Sequence, residues 1–135
     1  MAKSDIMVDT NVYIDLLRSK QDVVSVLYRW AGDRNLAVCG MIRLEVLRGL
    51  KSLKLRTKLS AFMDVMYHVS TTSSLWSEAT DLAWKLDRQG ITIPGPDLVI
   101  AASALRLGAA VMTSDGHFSK IDGLRVIAPP EEWFE

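Results

Sequence analysis

Short unbroken apolar blocks alternate along this chain with longer stretches in which apolar residues recur every three or four positions. Ile6-Met7-Val8 is the first block. Asp9-Thr10-Asn11, three residues that favour turns and helix caps, stop it, and Val12 to Leu17 then reads as a helix. Gln21 to Ala31 sets Val23, Val24, Leu27 and Trp30 on one helical face, and Gly32-Asp33-Arg34-Asn35 closes it. Leu36 to Cys39 predicts a second strand, followed by helices over Met41 to Leu50 and Leu53 to Met66. A third strand is expected at Tyr67-His68-Val69.

After the polar break Ser70 to Ser74, Leu75 to Gln89 predicts a helix whose larger apolar residues are Leu82, Leu86, Trp76 and Trp84, closed by Gly90. Pro94-Gly95-Pro96 is read as a tight non-helical segment. A nearly apolar helix follows over Asp97 to Leu107, and Gly108 ends it. Ala109 to Met112 and Arg125 to Ala128 supply the fourth and fifth strands. Strands separated by helices, too far apart for hairpins, imply right-handed crossovers between parallel strands. The expected fold is a single α/β domain over residues 1–135, three layers α/β/α around a five-stranded parallel sheet.

Composition agrees with a folded domain: 49% hydrophobic and 24% charged residues, in a chain of 135, are enough for a real core. The formal net charge is zero, so any polyanion must be held by a local patch. Lys51, Lys54, Arg56 and Lys58, with Arg43 and Arg48 just before them, are the candidate; a solvated helix face explains the same run. One cysteine, Cys39, cannot form an internal disulfide, which fits the reducing cytosol. Met1 to Ser4 lead straight into a strand pattern without a secretory leader, and no apolar run is long enough for a membrane span. A cytoplasmic location is the expectation.

In open parallel sheets ligands bind beyond the carboxyl ends of the strands. Four acids fall there: Asp9 directly after the first strand, Glu45 one turn into the helix after the second, Asp97 at the start of the helix leading into the fourth, and Asp115 just beyond the fourth. Each alone has a plainer reading. Asp9 and Asp97 suit helix caps, Asp115 in Ser-Asp-Gly suits a turn, and Glu45 has Arg48 three residues on as a surface partner. Glu45 nonetheless projects between Met41 and Ile42, and Asp97 lines up with Ala101 and Ala104, so neither sits on a solvent stripe.

Gathered together, the four repel: two unit charges about 4 Å apart cost roughly 4 kcal/mol at an effective dielectric of 20. A cation among them offsets this. With one cysteine and two scattered histidines, His68 and His117, a zinc cluster is not available, whereas an all-oxygen site suits Mg²⁺ or Mn²⁺. Such an ion supports phosphodiester hydrolysis.

The segments Val8-Asp9-Thr10-Asn11-Val12, Glu45-Val46-Leu47-Arg48-Gly49, Asp97-Leu98-Val99-Ile100-Ala101-Ala102 and Thr113-Ser114-Asp115-Gly116-His117-Phe118 resemble the PIN-domain nucleases, and among them the VapC ribonuclease toxins. The resemblance covers about Asp5 to Ala128. It implies a metal-dependent endoribonuclease acting on RNA, usually a homodimer, silenced by a cognate antitoxin that inserts an arginine among the acids and lies over the helices from Met41 to Met66. By position Asp9 and Asp97 would be the chief metal ligands, with Glu45 and Asp115 binding metal directly or through water. Thr10, Asn11 and Thr113 would support the acids by hydrogen bonding. Some relatives carry a further acid where this chain has His117. That histidine suits contact with RNA phosphate or proton donation, or plain exposure on a loop.

Two rival classes stand beside this reading. Haloacid-dehalogenase-like phosphotransferases want Asp-x-Asp after the first strand, where this chain has Asp9-Thr10-Asn11, and response-regulator receivers want a lysine after a late strand, where Thr113-Ser114-Asp115 offers none. The other rival is a binding module without catalysis. Phe118 and the tail Pro129-Pro130-Glu131-Glu132-Trp133-Phe134 suggest packing or oligomer contacts rather than base stacking, so that loss of Glu131 to Glu135 is expected to affect dimerisation first.

Overall fold

The structure, a computed structural model, describes residues 4–135. Five strands, β1 (Asp5–Val8), β2 (Asn35–Cys39), β3 (Tyr67–Val69), β4 (Ala110–Met112) and β5 (Val126–Ile127), form one parallel sheet in the order β3-β2-β1-β4-β5. Between them run α1 (Thr10–Arg18), α2 (Val23–Ala31), α3 (Gly40–Arg48), α4 (Leu53–Asp64), α5 (Ser73–Arg88) and α6 (Gly95–Leu107). The chain steps outward from β1 through β2 to β3, then crosses back to place β4 on the other side of β1. The topological switch point therefore lies between β1 and β4.

Successive strand residues point to opposite faces of a sheet. Met7 and Val8 in β1, Val38 and Cys39 in β2, and Val111 and Met112 in β4 are nonetheless all fully buried. Both faces of the central sheet are thus covered, which makes the fold the expected three-layer α/β/α. Tyr13, Leu16, Leu27, Ile42, Leu59, Ile100 and Phe118 complete the core from the helical and loop sides. Each fully buried large side chain contributes roughly 1.5–3 kcal/mol of transfer free energy.

Caps set the helix ends that periodicity alone leaves loose. Asp22 accepts from the Ser25 N–H, Ser52 from Leu55 and Thr72 from Leu75, so α2, α4 and α5 begin directly after these residues. Gly108 ends α6 in the left-handed region (φ 75°), where glycine carries no steric penalty. One expectation is corrected here: Gly95 and Pro96 belong to α6. A proline in the first turn has no N–H to lose and arrives with a helical φ, so Pro94-Gly95-Pro96 starts the helix instead of excluding it.

On α5 the buried face consists of Leu75, Ala79 and Leu86, while Trp76 and Trp84 face outward, the latter under the Arg88 guanidinium at 4.8 Å. The carboxy-terminal tail packs on its own chain. Gln21 Nε2 donates to the Trp133 carbonyl (2.9 Å), and the Trp133 ring meets Trp30 edge-on. No helix among the described residues is long and apolar enough to cross a membrane. The reading of the amino terminus as free of a leader falls largely on Met1 to Lys3, outside the described residues.

Candidate metal centre

Parallel pairing of Val8 with Met112 ends β1 and β4 at the same level, so the next residues, Asp9 and Thr113, emerge side by side at the switch point. Asp9 is buried, 3% exposed, and both of its oxygens are engaged. Oδ1 accepts from the Thr10 backbone N–H (2.8 Å) and Oδ2 from the Thr113 hydroxyl (2.9 Å). Asp9 is therefore the N-cap of α1, but the cap uses only one oxygen and leaves the burial unexplained.

Thr113 is the hub of the centre. Besides donating to Asp9, its Oγ1 accepts from Asn11 Nδ2 (3.2 Å) and from the Asp115 backbone N–H (2.9 Å). Thr10 does the matching work on the other side: its hydroxyl donates to Glu45 Oε1 (2.9 Å) while its N–H holds Asp9. Glu45 is half-buried on α3, and it forms no ion pair with Arg48 among the described residues. The surface-pair reading of Glu45 is thereby set aside in favour of a side chain fixed beside Asp9.

Asp97 lies in the first turn of α6, whose N-cap is Pro94, so it does not cap that helix. It faces Asp115 across His117. As an N–H donor, His117 Nδ1 lies 3.1 Å from Asp115 Oδ1 and 3.3 Å from Asp97 Oδ2, and one ligand atom from each of the three residues falls within 4.8 Å of the others. The His117 backbone N–H also donates to Asp115 Oδ1 (2.8 Å), closing an Asx turn over Gly116, and Phe118, fully buried, pins the loop to the core. Asp115 is both a turn residue and a member of the cluster.

The acids thus form two halves, Asp9 with Glu45 and Asp97 with Asp115, joined through Thr113. Burial pushes the Asp9 carboxyl up to about 6, with the charges of Asp97 and Glu45 adding to the effect and the hydrogen bonds from Thr113 and Thr10 opposing it. Burial also raises Asp97, the Asp115 charge adds to this, and the His117 hydrogen bond opposes it. Burial and the neighbouring acids disfavour the charged form of both carboxyls, and a cation held there would offset that. Hard oxygen donors dominate the set, as Mg²⁺ and Mn²⁺ require, with one imidazole nitrogen on the Asp97–Asp115 side. A larger cleft of about 570 Å³, lined by Tyr28, Arg34, Asn35 and Tyr67 among others, opens at the amino ends of β2 and β3, away from these acids.

The family model for the PIN domain matches residues 6–124, a span that contains Asp9, Glu45, Asp97 and Asp115. The chain belongs to the PIN domain family. This PIN domain shares its fold with VapBC2 from Rickettsia felis bound to a promoter DNA fragment (21% identity, TM-score 0.75, 92% of this chain and 98% of that one). It is similar to VapBC from Salmonella typhimurium bound to DNA (21% identity, TM-score 0.75, 93% and 98%). A toxin-antitoxin complex from Klebsiella pneumoniae also matches (21% identity, TM-score 0.71, 93% and 98%). No curated protein matches in sequence. The bridging place of His117 between Asp97 and Asp115 and the double use of Thr10 in this PIN domain have no signal in the sequence, because they depend on the loop geometry after β4 and on the approach of α1 to α3.

Proposed function

We propose that this PIN domain is a metal-dependent endoribonuclease, the toxin of a toxin–antitoxin pair, with Asp9, Glu45, Asp97 and Asp115 as the residues that hold Mg²⁺ (or Mn²⁺). The observation that carries the reading is the place of Asp9: a buried carboxyl at the switch point, both oxygens held by Thr10 and Thr113, with Glu45 fixed beside it and the charges of Asp97 and Glu45 both disfavouring its own. A structural cap has no use for that arrangement. A cation site does.

Asp9, Glu45, Asp97 and Asp115 would hold the dication, which would supply charge neutralisation for a substrate phosphate and activation of water for its hydrolysis. The chain's own groups prepare the place. The Thr10 N–H and the Thr113 hydroxyl fix the plane of the Asp9 carboxylate, and the Thr10 hydroxyl fixes Glu45 beside it. Asn11 and the Asp115 N–H hold Thr113 so that its hydrogen is committed to Asp9. Side chains oriented in this way, Asp9 and Glu45 above all, lose little freedom when the site is occupied, which is the use of such outer hydrogen bonds. His117, half exposed beside Asp97 and Asp115, is placed to touch substrate phosphate or to carry a proton to a leaving group.

Several solved structures of this fold are toxin-antitoxin complexes, and that supports a protein antitoxin as the partner here. Induced expression in a bacterial host tests the toxin reading. Growth should stop with the wild-type chain and continue with Asp97→Asn at equal protein level, and total RNA should show new fragments only in the first case. Normal growth with abundant wild-type protein and intact RNA contradicts it.

A further inference from the structure

The basic run that begins at Arg43 is sorted by the fold. Arg43 is held by Asp64 at 2.9 Å, and Lys58 by Asp22 at 3.2 Å. Arg48, Lys51, Lys54 and Arg56 have no ion-pair partner among the described residues, and neither has Arg18 at the end of α1. An open groove of about 470 Å³ runs between α1, α3 and the start of α4. Glu45 stands in its wall, Arg18 and Lys51 line it, and Ile14, Leu17 and Leu55 give it an apolar surface. Arg18 and Lys51 are both exposed.

We propose that this groove seats the single-stranded RNA flanking the scissile bond, with Arg18 and Lys51 as positioning residues that take its phosphates. The inference rests on the nuclease reading above for the place of cleavage. A phosphate brought to the acids leaves its neighbours to follow the adjoining surface, and Glu45 is the acid that this groove shares with the cluster. The chain as a whole carries no net charge and the four carboxylates repel a polyanion, so attraction for the flanking phosphates has to come from unpaired cations close by. The apolar surface selects unpaired bases, because a duplex buries its base faces and presents only backbone.

Fluorescence anisotropy with a short, labelled, unstructured RNA in Mg²⁺ tests the groove, using Asp97→Asn as the parent so that the probe stays intact. Adding Arg18→Ala and Lys51→Ala together should weaken binding roughly 10-fold or more and flatten the dependence of log K on log salt by about 1.4, two contacts at roughly 0.7 each on a single strand. Arg18→Lys with Lys51→Arg should restore most of the affinity, and melting curves should show all variants folded. Unchanged affinity and slope in the double alanine variant overturn the proposal, whatever the wild type cleaves. Loss of binding to an acidic, apolar peptide with RNA binding intact overturns it too, in favour of a peptide groove. Loss of RNA binding in the variant, with a wild-type chain that never cuts, upholds the groove and removes the nuclease reading instead.

Discussion

Replacing Asp9 by Asn removes a buried charge without removing the cap, since Asn and Asp serve equally well at the start of a helix. In the wild-type chain the Asp9 carboxyl is pushed up from 3.8 to about 6, a rise of about 2. At about 1.4 kcal/mol per unit, ionised Asp9 costs the metal-free fold about 3 kcal/mol at neutral pH. The Asn carbonyl still accepts from the Thr10 N–H, but its amide meets a Thr113 oxygen that already accepts from Asn11 and Asp115. That mismatch takes back roughly 1 kcal/mol, leaving a net gain of about 2 kcal/mol. The sign with pH follows from the raised value. The folded chain binds this proton more tightly than the unfolded chain, so wild-type stability falls as pH rises from about 4 to about 6 and stays reduced above that. Urea unfolding in EDTA at pH 7.5 should therefore show Asp9→Asn as the more stable protein, and the gap should close towards pH 4. Saturating Mg²⁺ should reverse the order by stabilising the wild type. A variant at least 1 kcal/mol less stable than wild type in EDTA at pH 7.5 would refute the claim that Asp9 is under-compensated without a cation.

Other outcomes follow from the same contacts. Thr113→Val removes the donor to Asp9 and the acceptor for Asn11 and Asp115, so it should cost about 1–3 kcal/mol of stability and most of the cleavage activity, while Thr113→Ser keeps both; equal activity in the Val variant contradicts the hub role. His117→Asp places a third carboxylate beside Asp97 and Asp115, and calorimetry should show Mg²⁺ bound about 10-fold tighter, with unchanged affinity removing His117 from the site. Phe118→Ala empties a fully buried site under the Asp115 loop and should cost about 3–5 kcal/mol by thermal or urea unfolding; a loss under 1 kcal/mol contradicts its anchoring role.

The alternation of apolar blocks with helical periods was enough to read the layered sheet, because strands buried on both faces have to be unbroken apolar runs, as Ile6 to Val8 and Ala110 to Met112 are. Helix starts were less legible. Pro96 is a breaker by composition and a first-turn residue by position, and only the backbone path decides between them. The places of the four acids after strands are legible in the sequence, but the contacts that hold them are not. The side-by-side emergence of Asp9 and Thr113 follows from a register between residues about a hundred positions apart, and no local pattern encodes it. Glu45 was set apart correctly from the solvent face, but its partner proved to be Thr10 and not Arg48. In the basic run the sequence shows like charges together; the acids that neutralise Arg43 and Lys58 come from elsewhere in space, Asp64 and Asp22, and leave the rest unpaired. The tail, expected to serve packing or an oligomer contact, is occupied by Gln21 and Trp30 of its own chain.

Cleavage of a labelled single-stranded RNA by the purified chain tests the proposed metal-dependent nuclease activity most directly, run with Mg²⁺ or Mn²⁺, with EDTA, and with Asp97→Asn beside the wild type. Cutting that needs the metal, stops in EDTA and is lost in the folded Asp97→Asn protein is the predicted result. Cutting that persists in EDTA or in Asp97→Asn, or no cutting of any of several RNAs by a folded, metal-loaded wild type, would contradict it.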